Sequence, residues 1–292
     1  MQNTMQMIYK TFLLGVKVCY LYIKGRKVTS IDIGNSYQKV SQDYHHYYLS
    51  TMHQYNERLL DHLVSHVSKG KILDLAGGTG FNASYIMNKG KYDIDLVDIS
   101  QDMLNQCRDP LIHKICENML IYLKTCEEER YDALICTWAL MYENPQKVLK
   151  ECYRVLKKKG YLYILVNDRQ TLPQVRKVYP LLLIEYVKHI QKLMMELPTP
   201  RHQKQLHQWN KNAGFKTLLC QEKKQDFLFD YWEDAATFVT STGALAGYDV
   251  MIDLRDKDIF ESFVKRLELT SNKPCITHHF IEGIAIKENL YE

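Results

Sequence analysis

The sequence predicts a doubly wound α/β fold, and three observations carry that prediction. Short apolar runs alternate with amphipathic stretches between residues 71 and 166. A glycine-rich loop, Gly77-Gly78-Thr79-Gly80, follows the first apolar run and opens the next helical stretch. The later runs are set off by turn residues at the short spacing of strand and helix alternation.

The elements follow in order. Residues 41–69 carry apolar and aromatic groups at helical spacing and close at Lys69-Gly70. KILDLA at 71–76 is the first strand, and Phe81 opens a helix that ends near Asn88 before Lys89-Gly90. DIDLVD at 93–98 is a second strand, followed by a short helix in SQDMLNQC, and LIHKIC at 111–116 is a weakly patterned third. A helical segment between Glu117 and Glu129 leads to YDALICTWAL at 131–140, the fourth strand. Pro145 opens a helix through Leu156, a lysine-rich turn ends at Gly160, and YLYILV is the fifth strand. Beyond it the pattern loosens. Residues 173–197 form a helical stripe that Pro180 kinks or restarts, and 203–213 form another helix ending at Gly214. FKTLLCQE reads as a strand, the insertion 226–250 as an apolar helix around Trp232 and Phe238, and 256–269 as helical. ITHHFIEGIAIKE is the last strand, with a possible bulge at Gly283.

Composition bounds the function classes. Over 292 residues the chain is 46% hydrophobic and 25% charged, enough to bury a core, and its net charge of +4 is too small to imply nucleic acid. Eight cysteines without any C-x-x-C pair argue against structural zinc and against a disulfide framework. At the N-terminus, Lys10 and Lys17 interrupt the apolar stretch 5–23, which suits an amphipathic helix packed on the body or on a partner better than a membrane span. A peripheral membrane contact is the less favoured reading.

The glycine loop carries the chemistry. Glycines permit positive φ and let a ligand approach the backbone, and the helix that follows offers unpaired amides. Asp98 ends the second strand, 24 residues after Asp74, where a carboxylate can accept both hydroxyls of a ribose. Gly78-x-Gly80-x-x-Ala83 also fits a loose dinucleotide fingerprint, so a nicotinamide cofactor competes on pattern alone. Asp74, acidic and just before the glycines, leans instead toward a cationic or amine-bearing ligand.

The segment ILDLAGGTG resembles the first motif of the class I S-adenosylmethionine-dependent methyltransferases. LVDISQDML at 96–104 is similar to their second-strand motif, and residues 131–164 resemble the stretch spanning their fourth and fifth strands. The likeness covers roughly residues 37–168. It implies a seven-stranded mixed sheet of the Rossmann-like methyltransferase type, with an N-terminal helical extension at 1–40. A domain over 41–292 would carry helical caps at about 170–205 and 226–250. It implies S-adenosylmethionine as cofactor and S-adenosylhomocysteine as product. By the same resemblance Asp74, Ala76, Gly77, Gly78 and Gly80 would lie at the cofactor, Asp98 would hold the ribose, and Ile99 and Met103 would flank the adenine. Glu117 and Asn118 would sit near the adenine amine, Thr137 would line the methionine part, and Tyr37 and Tyr44 would close over the site.

Methyl transfer needs alignment and exclusion of water more than a fixed catalytic motif, and only an alcohol or phenol acceptor calls for a general base. His46 and Asp168 are the candidates for that base. The expected acceptor is a small molecule, aromatic or apolar, bound by an enzyme that is cytoplasmic and either a monomer or a homodimer. Neither nucleic acid nor a metal is expected. A nicotinamide-dependent oxidoreductase and a catalytically inactive cofactor-binding partner are the alternatives.

Overall fold

In the computed structural model, which describes residues 2–40 and 50–288, the apolar run before the glycine loop becomes β1 (Gly70–Leu75). Ile72, Leu73 and Leu75 are all inaccessible to solvent. A strand buried on both faces belongs in the middle of a parallel sheet. Accordingly β1 pairs in parallel with β2 (Tyr92–Asp98) on one side and with β4 (Tyr131–Thr137) on the other. With β3 (His113–Cys116), β5 (Leu156–Asn167), β6 (Lys216–Leu228) and β7 (Cys275–Ile286), the order is β3-β2-β1-β4-β5-β7-β6. β7 runs antiparallel to β5, which makes the seven-stranded sheet mixed.

Two details depart from the sequence reading. Gly283 makes no bulge against β5, because the ladder runs without a shift from Tyr161↔Ile286 to Asn167↔Phe280, with Ile164 opposite the glycine. The lysine-rich turn is part of β5 rather than a separate loop. Lys157 reaches Asp132 at 2.8 Å, and a Cβ on Gly160 would come within 2.8 Å of the Lys157 carbonyl.

Contacts divide the chain into two compact units, with the division falling within β6 and β7. The sheet unit comprises Leu49–Thr171, Leu197–Lys224 and His279–Glu292. It contains α3 (Ser50–His66), α4 (Phe81–Met87), α5 (Gln101–Gln106), α6 (Met119–Thr125), α7 (Pro145–Val155) and α9 (Gln203–Ala213). Helix α7 illustrates the local logic. Asn144 caps it by accepting from the Lys147 amide at 3.1 Å, Pro145 occupies the first turn, and Val148, Leu149, Cys152 and Val155 form the buried stripe. In β2 the wholly buried Asp95 accepts hydrogen bonds from the Tyr131 hydroxyl at 2.7 Å and from Lys71 and Arg130 at 3.2 Å. Burial pushes its carboxyl up, but Tyr131, His113 and Lys71 together hold it below the usual range.

The helical unit comprises Met1–Tyr48, Leu172–Glu196 and Gln225–His278. Its helices are α1 (Gln2–Ile23), α2 (Ser30–Val40), α8 (Pro173–Glu185), α10 (Trp232–Ser241) and α11 (Lys257–Thr270). Pro180 lies inside α8, which stops at Glu185 as Tyr186 leaves helical geometry, so the helical stripe read to residue 197 is shorter than expected. α8 is fastened to α11 by the Glu185–Arg266 ion pair at 2.6 Å and by the Tyr186 hydroxyl on Ser262 at 2.7 Å. Ser36 in α2 donates to Asp249 at 2.6 Å, and Asp32 meets Lys192 at 2.7 Å. Among the described residues no helix is long and apolar enough to cross a membrane.

Candidate cofactor site

At the end of β1 the chain turns sharply. Ala76, Gly78 and Gly80 all have positive φ, at 55°, 57° and 77°. Gly77 has an ordinary φ but no room, since a Cβ there would come within 2.5 Å of the Asp74 carboxyl carbon. Opposite the loop, Asp98 ends β2. Its Oδ2 accepts the Gly78 amide at 2.9 Å and its Oδ1 the Ser100 amide at 2.8 Å. The Gly77 amide donates to the Val97 carbonyl at 3.1 Å, and the Glu117 amide to the Asp98 carbonyl at 3.0 Å. Met103 stands beside Gly78, where a Cβ would meet its methyl group at 3.2 Å. Three strand ends are thereby drawn to one place, with Asp98 at the centre.

Beneath the loop lies a buried polar network. The Asn82 amide donates to Asp74 Oδ1 and to Thr137 Oγ1, both at 3.1 Å. The Asn56 amide donates to Asn82 Oδ1 at 2.8 Å, and the Trp138 indole N–H donates to Asn56 Oδ1 at 3.1 Å. Asp74 is fully buried, and its Oδ2 has no hydrogen-bond partner among the described residues. Burial pushes its pKa from 3.8 up to about 7, opposed by the Asn82 hydrogen bond and aided by the charge of Asp98. Burial raises the Asp98 carboxyl too, against the stabilising amides of Ser100 and Gly78. Among the described residues, neither carboxyl has a cation within ion-pair distance. Among the described residues the loop thus has two carboxyls around it and no counter-charge, a setting that favours a positively charged ligand over a pyrophosphate.

The sequence reading overlooked Asn56 and Asn82. A signal for Asn56 was present, because it stands on the stripe of Met52, Leu59, Leu60 and Leu63, where an apolar residue belongs. Trp138 takes a positive φ of 64° at the end of β4, which cannot be read from residue type.

The other expected residues distribute as follows. Ile99 follows Asp98 directly, and Thr137 is buried in the polar network. The Glu117 carboxylate accepts from the Asn118 amide at 2.7 Å. Asn118 caps α6 by accepting from the Leu120 and Ile121 amides, and donates to Glu143. Asp168 follows β5, buried, with Oδ1 accepting the Gln170 amide at 2.7 Å and its pKa raised by burial. Tyr37 belongs to α2 of the helical unit, where its ring edge lies 2.7 Å from the place a Cβ on Gly243 would take. Tyr44 and His46 lie outside the described residues.

With this geometry in place, comparison with known proteins agrees. Residues 73–164 match the family described as a methyltransferase domain. The matched stretch runs from within β1 into β5 and so takes in the glycine loop and Asp98. An uncharacterized methyltransferase-like protein of Schizosaccharomyces pombe is 30% identical over 112 residues, covering 38% of this chain and 44% of that protein. A ubiquinone/menaquinone biosynthesis C-methyltransferase of Hydrogenovibrio crunogenus is 32% identical over 117 residues, covering 37% and 46%. The chain therefore spans less than half the length of these relatives. Among solved structures, the Burkholderia thailandensis 1,6-didemethyltoxoflavin-N1-methyltransferase superposes with a TM-score of 0.50 at 13% identity, over 89% of each chain, a likeness of fold.

Proposed function

We propose that the chain transfers the methyl group of S-adenosylmethionine to a small-molecule acceptor, aromatic or apolar, and releases S-adenosylhomocysteine. The observation that carries this reading is the glycine loop flanked by two carboxyls that have no cation beside them among the described residues. A dinucleotide would bring its pyrophosphate to that loop and meet repulsion. A sulfonium and an ammonium would meet attraction. The match of residues 73–164 to a methyltransferase domain supports the same choice.

In this reading each residue has a task. Asp98 keeps lone pairs free on both oxygens beyond the amides of Gly78 and Ser100, and these accept the two ribose hydroxyls. Gly77 and Gly78 let the ligand approach the backbone, and Ile99 and Met103 give the adenine an apolar flank. Glu117 stands at the end of β3, in reach of the adenine edge through the strand-end contact with Asp98. Thr137, Asn82 and Asn56 fix the end of β4 from below. When bound, the cofactor supplies a methyl group activated on a positively charged sulfur. For a phenol or alcohol acceptor, a protein base would take up the proton. Asp168 is a candidate because burial raises its carboxyl toward neutrality, and His46 is the other.

The test is calorimetric titration with S-adenosylhomocysteine, with NADH as comparison and Asp98→Ala as control. One-to-one binding of S-adenosylhomocysteine that weakens by at least about tenfold in the variant is expected, given about 1.5–3 kcal/mol for hydrogen bonds to a charged group. Binding of NADH alone would overturn the reading in favour of a nicotinamide enzyme.

A further inference from the structure

Helix α1 is oriented against its own amphipathicity. Met5, Ile8, Phe12, Val16, Tyr20 and Ile23 recur at helical spacing on one face, and each is between 52% and 80% exposed. The opposite face packs on α8, and it carries Lys10, Leu13, Leu14, Lys17 and Leu21, of which only Leu21 is fully covered. A helix docked only for the stability of this unit would turn its apolar stripe inward. Here the stripe, about 27 Å long at 1.5 Å per residue, faces outward.

Charge narrows what covers it. The chain has no acidic residue before Asp32, whereas Lys10, Lys17, Lys24, Arg26 and Lys27 precede it. Lys24, Arg26 and Lys27 are exposed directly beyond the C-terminal end of the helix. Tyrosine side chains at 9, 20 and 22, amphipathic and exposed, sit where apolar stripe and water meet. A second copy of the chain would set the same cations against themselves. An anionic lipid surface satisfies both features at once, taking up the stripe below its headgroups and pairing the cations with its charge.

We propose that α1 is an interfacial anchor that lies in the plane of an anionic bilayer, with Phe12 and Val16 at its centre and the 24–27 segment on the headgroups. The sequence set the interrupting lysines against a membrane span and left a peripheral contact as the less favoured reading, which the exposed stripe now favours. The lysines exclude a span, and an in-plane helix needs them on its polar side.

The full chain is tested by flotation with vesicles of phosphatidylcholine alone and with phosphatidylserine as about a quarter of the lipid. The expected result is partitioning onto the anionic vesicles, weaker by about fivefold for each cation neutralised in the 24–27 segment. Phe12→Glu should reduce it by about tenfold or more. Because Phe12 is 67% exposed, the variant should fold, and circular dichroism checks this. Phe12→Trp gives a second readout, a blue shift of its emission on adding anionic vesicles. Absence of flotation, equal binding to neutral vesicles, or binding untouched by Phe12→Glu overturns the proposal. So does a dimer in sedimentation velocity that Phe12→Glu dissociates while flotation is absent, which would assign the stripe to a second copy.

Discussion

Replacing Asp74 by asparagine should stabilise the protein, and the gain should depend on pH in a way fixed by the structure. The carboxyl is fully buried, with Oδ2 unpartnered, and burial lifts its pKa from 3.8 to about 7. A carboxyl whose folded pKa is raised binds its proton more tightly in the native state. Its contribution is fully favourable below 3.8 and is lost as pH rises through the folded value. Across that window the loss runs at about 1.4 kcal/mol per pH unit and totals about 4 kcal/mol, an upper bound because the fold relaxes around the charge. Asparagine has nearly the same shape, keeps an oxygen for Asn82, and never ionises. Urea unfolding of both proteins should therefore show little difference near pH 4. Between pH 5 and 7 the advantage of Asp74→Asn should grow by about 2–3 kcal/mol, then level off. A difference that stays constant from pH 5 to 9 would mean that Asp74 ionises normally, and the argument that the site lacks counter-charge would fail with it.

Two further outcomes follow from the same unit. Ala76 holds a φ of 55°, where a Cβ is disfavoured by about 1–2 kcal/mol, so Ala76→Gly should gain up to about 1 kcal/mol in urea unfolding after the glycine's own entropy is subtracted. Asp95→Ala removes the buried carboxylate shared by Tyr131, Arg130 and Lys71, leaving Lys71 with Asp93, and should lower stability by about 3 kcal/mol at pH 7. Because Asp95 is held below 3.8, that gap should narrow as pH is lowered through and below this value, which acid titration of unfolding would detect.

The strands β1, β2, β4 and β5 were legible because they are largely apolar on both faces and the turns between them carry glycine, proline or an asparagine cap, whereas the exposed β3 gives only a weak pattern. β1, β2, β4 and β5 stand within a few residues of where the apolar runs lie. The helical unit was less legible, since the length of α8 is set by where Tyr186 leaves the helix, and a periodic stripe continues past that point. At the site, glycine loop and Asp98 were visible as residue types in a fixed order. The polar network under them was not, because Asn56, Asn82 and Thr137 come together from α3, α4 and β4 only in three dimensions. Nor does sequence indicate which side of α1 meets the protein, since an amphipathic period is the same whichever way the helix is rolled.

The position of β7 bears on how the chain is made. This strand is the last of the seven to leave a ribosome, yet it stands between β5 and β6. Until residues 280–286 emerge, the outer edge of β5 presents its amides and carbonyls without their eventual partner, although β1, β2, β3 and β4 are already complete. An unpaired strand edge beside a formed parallel core invites pairing with other chains. Vectorial synthesis thus leaves a waiting period of more than 100 residues between β5 and its closing strand. Translation stalls within that interval would release a sheet that is assembled on one side and adhesive on the other.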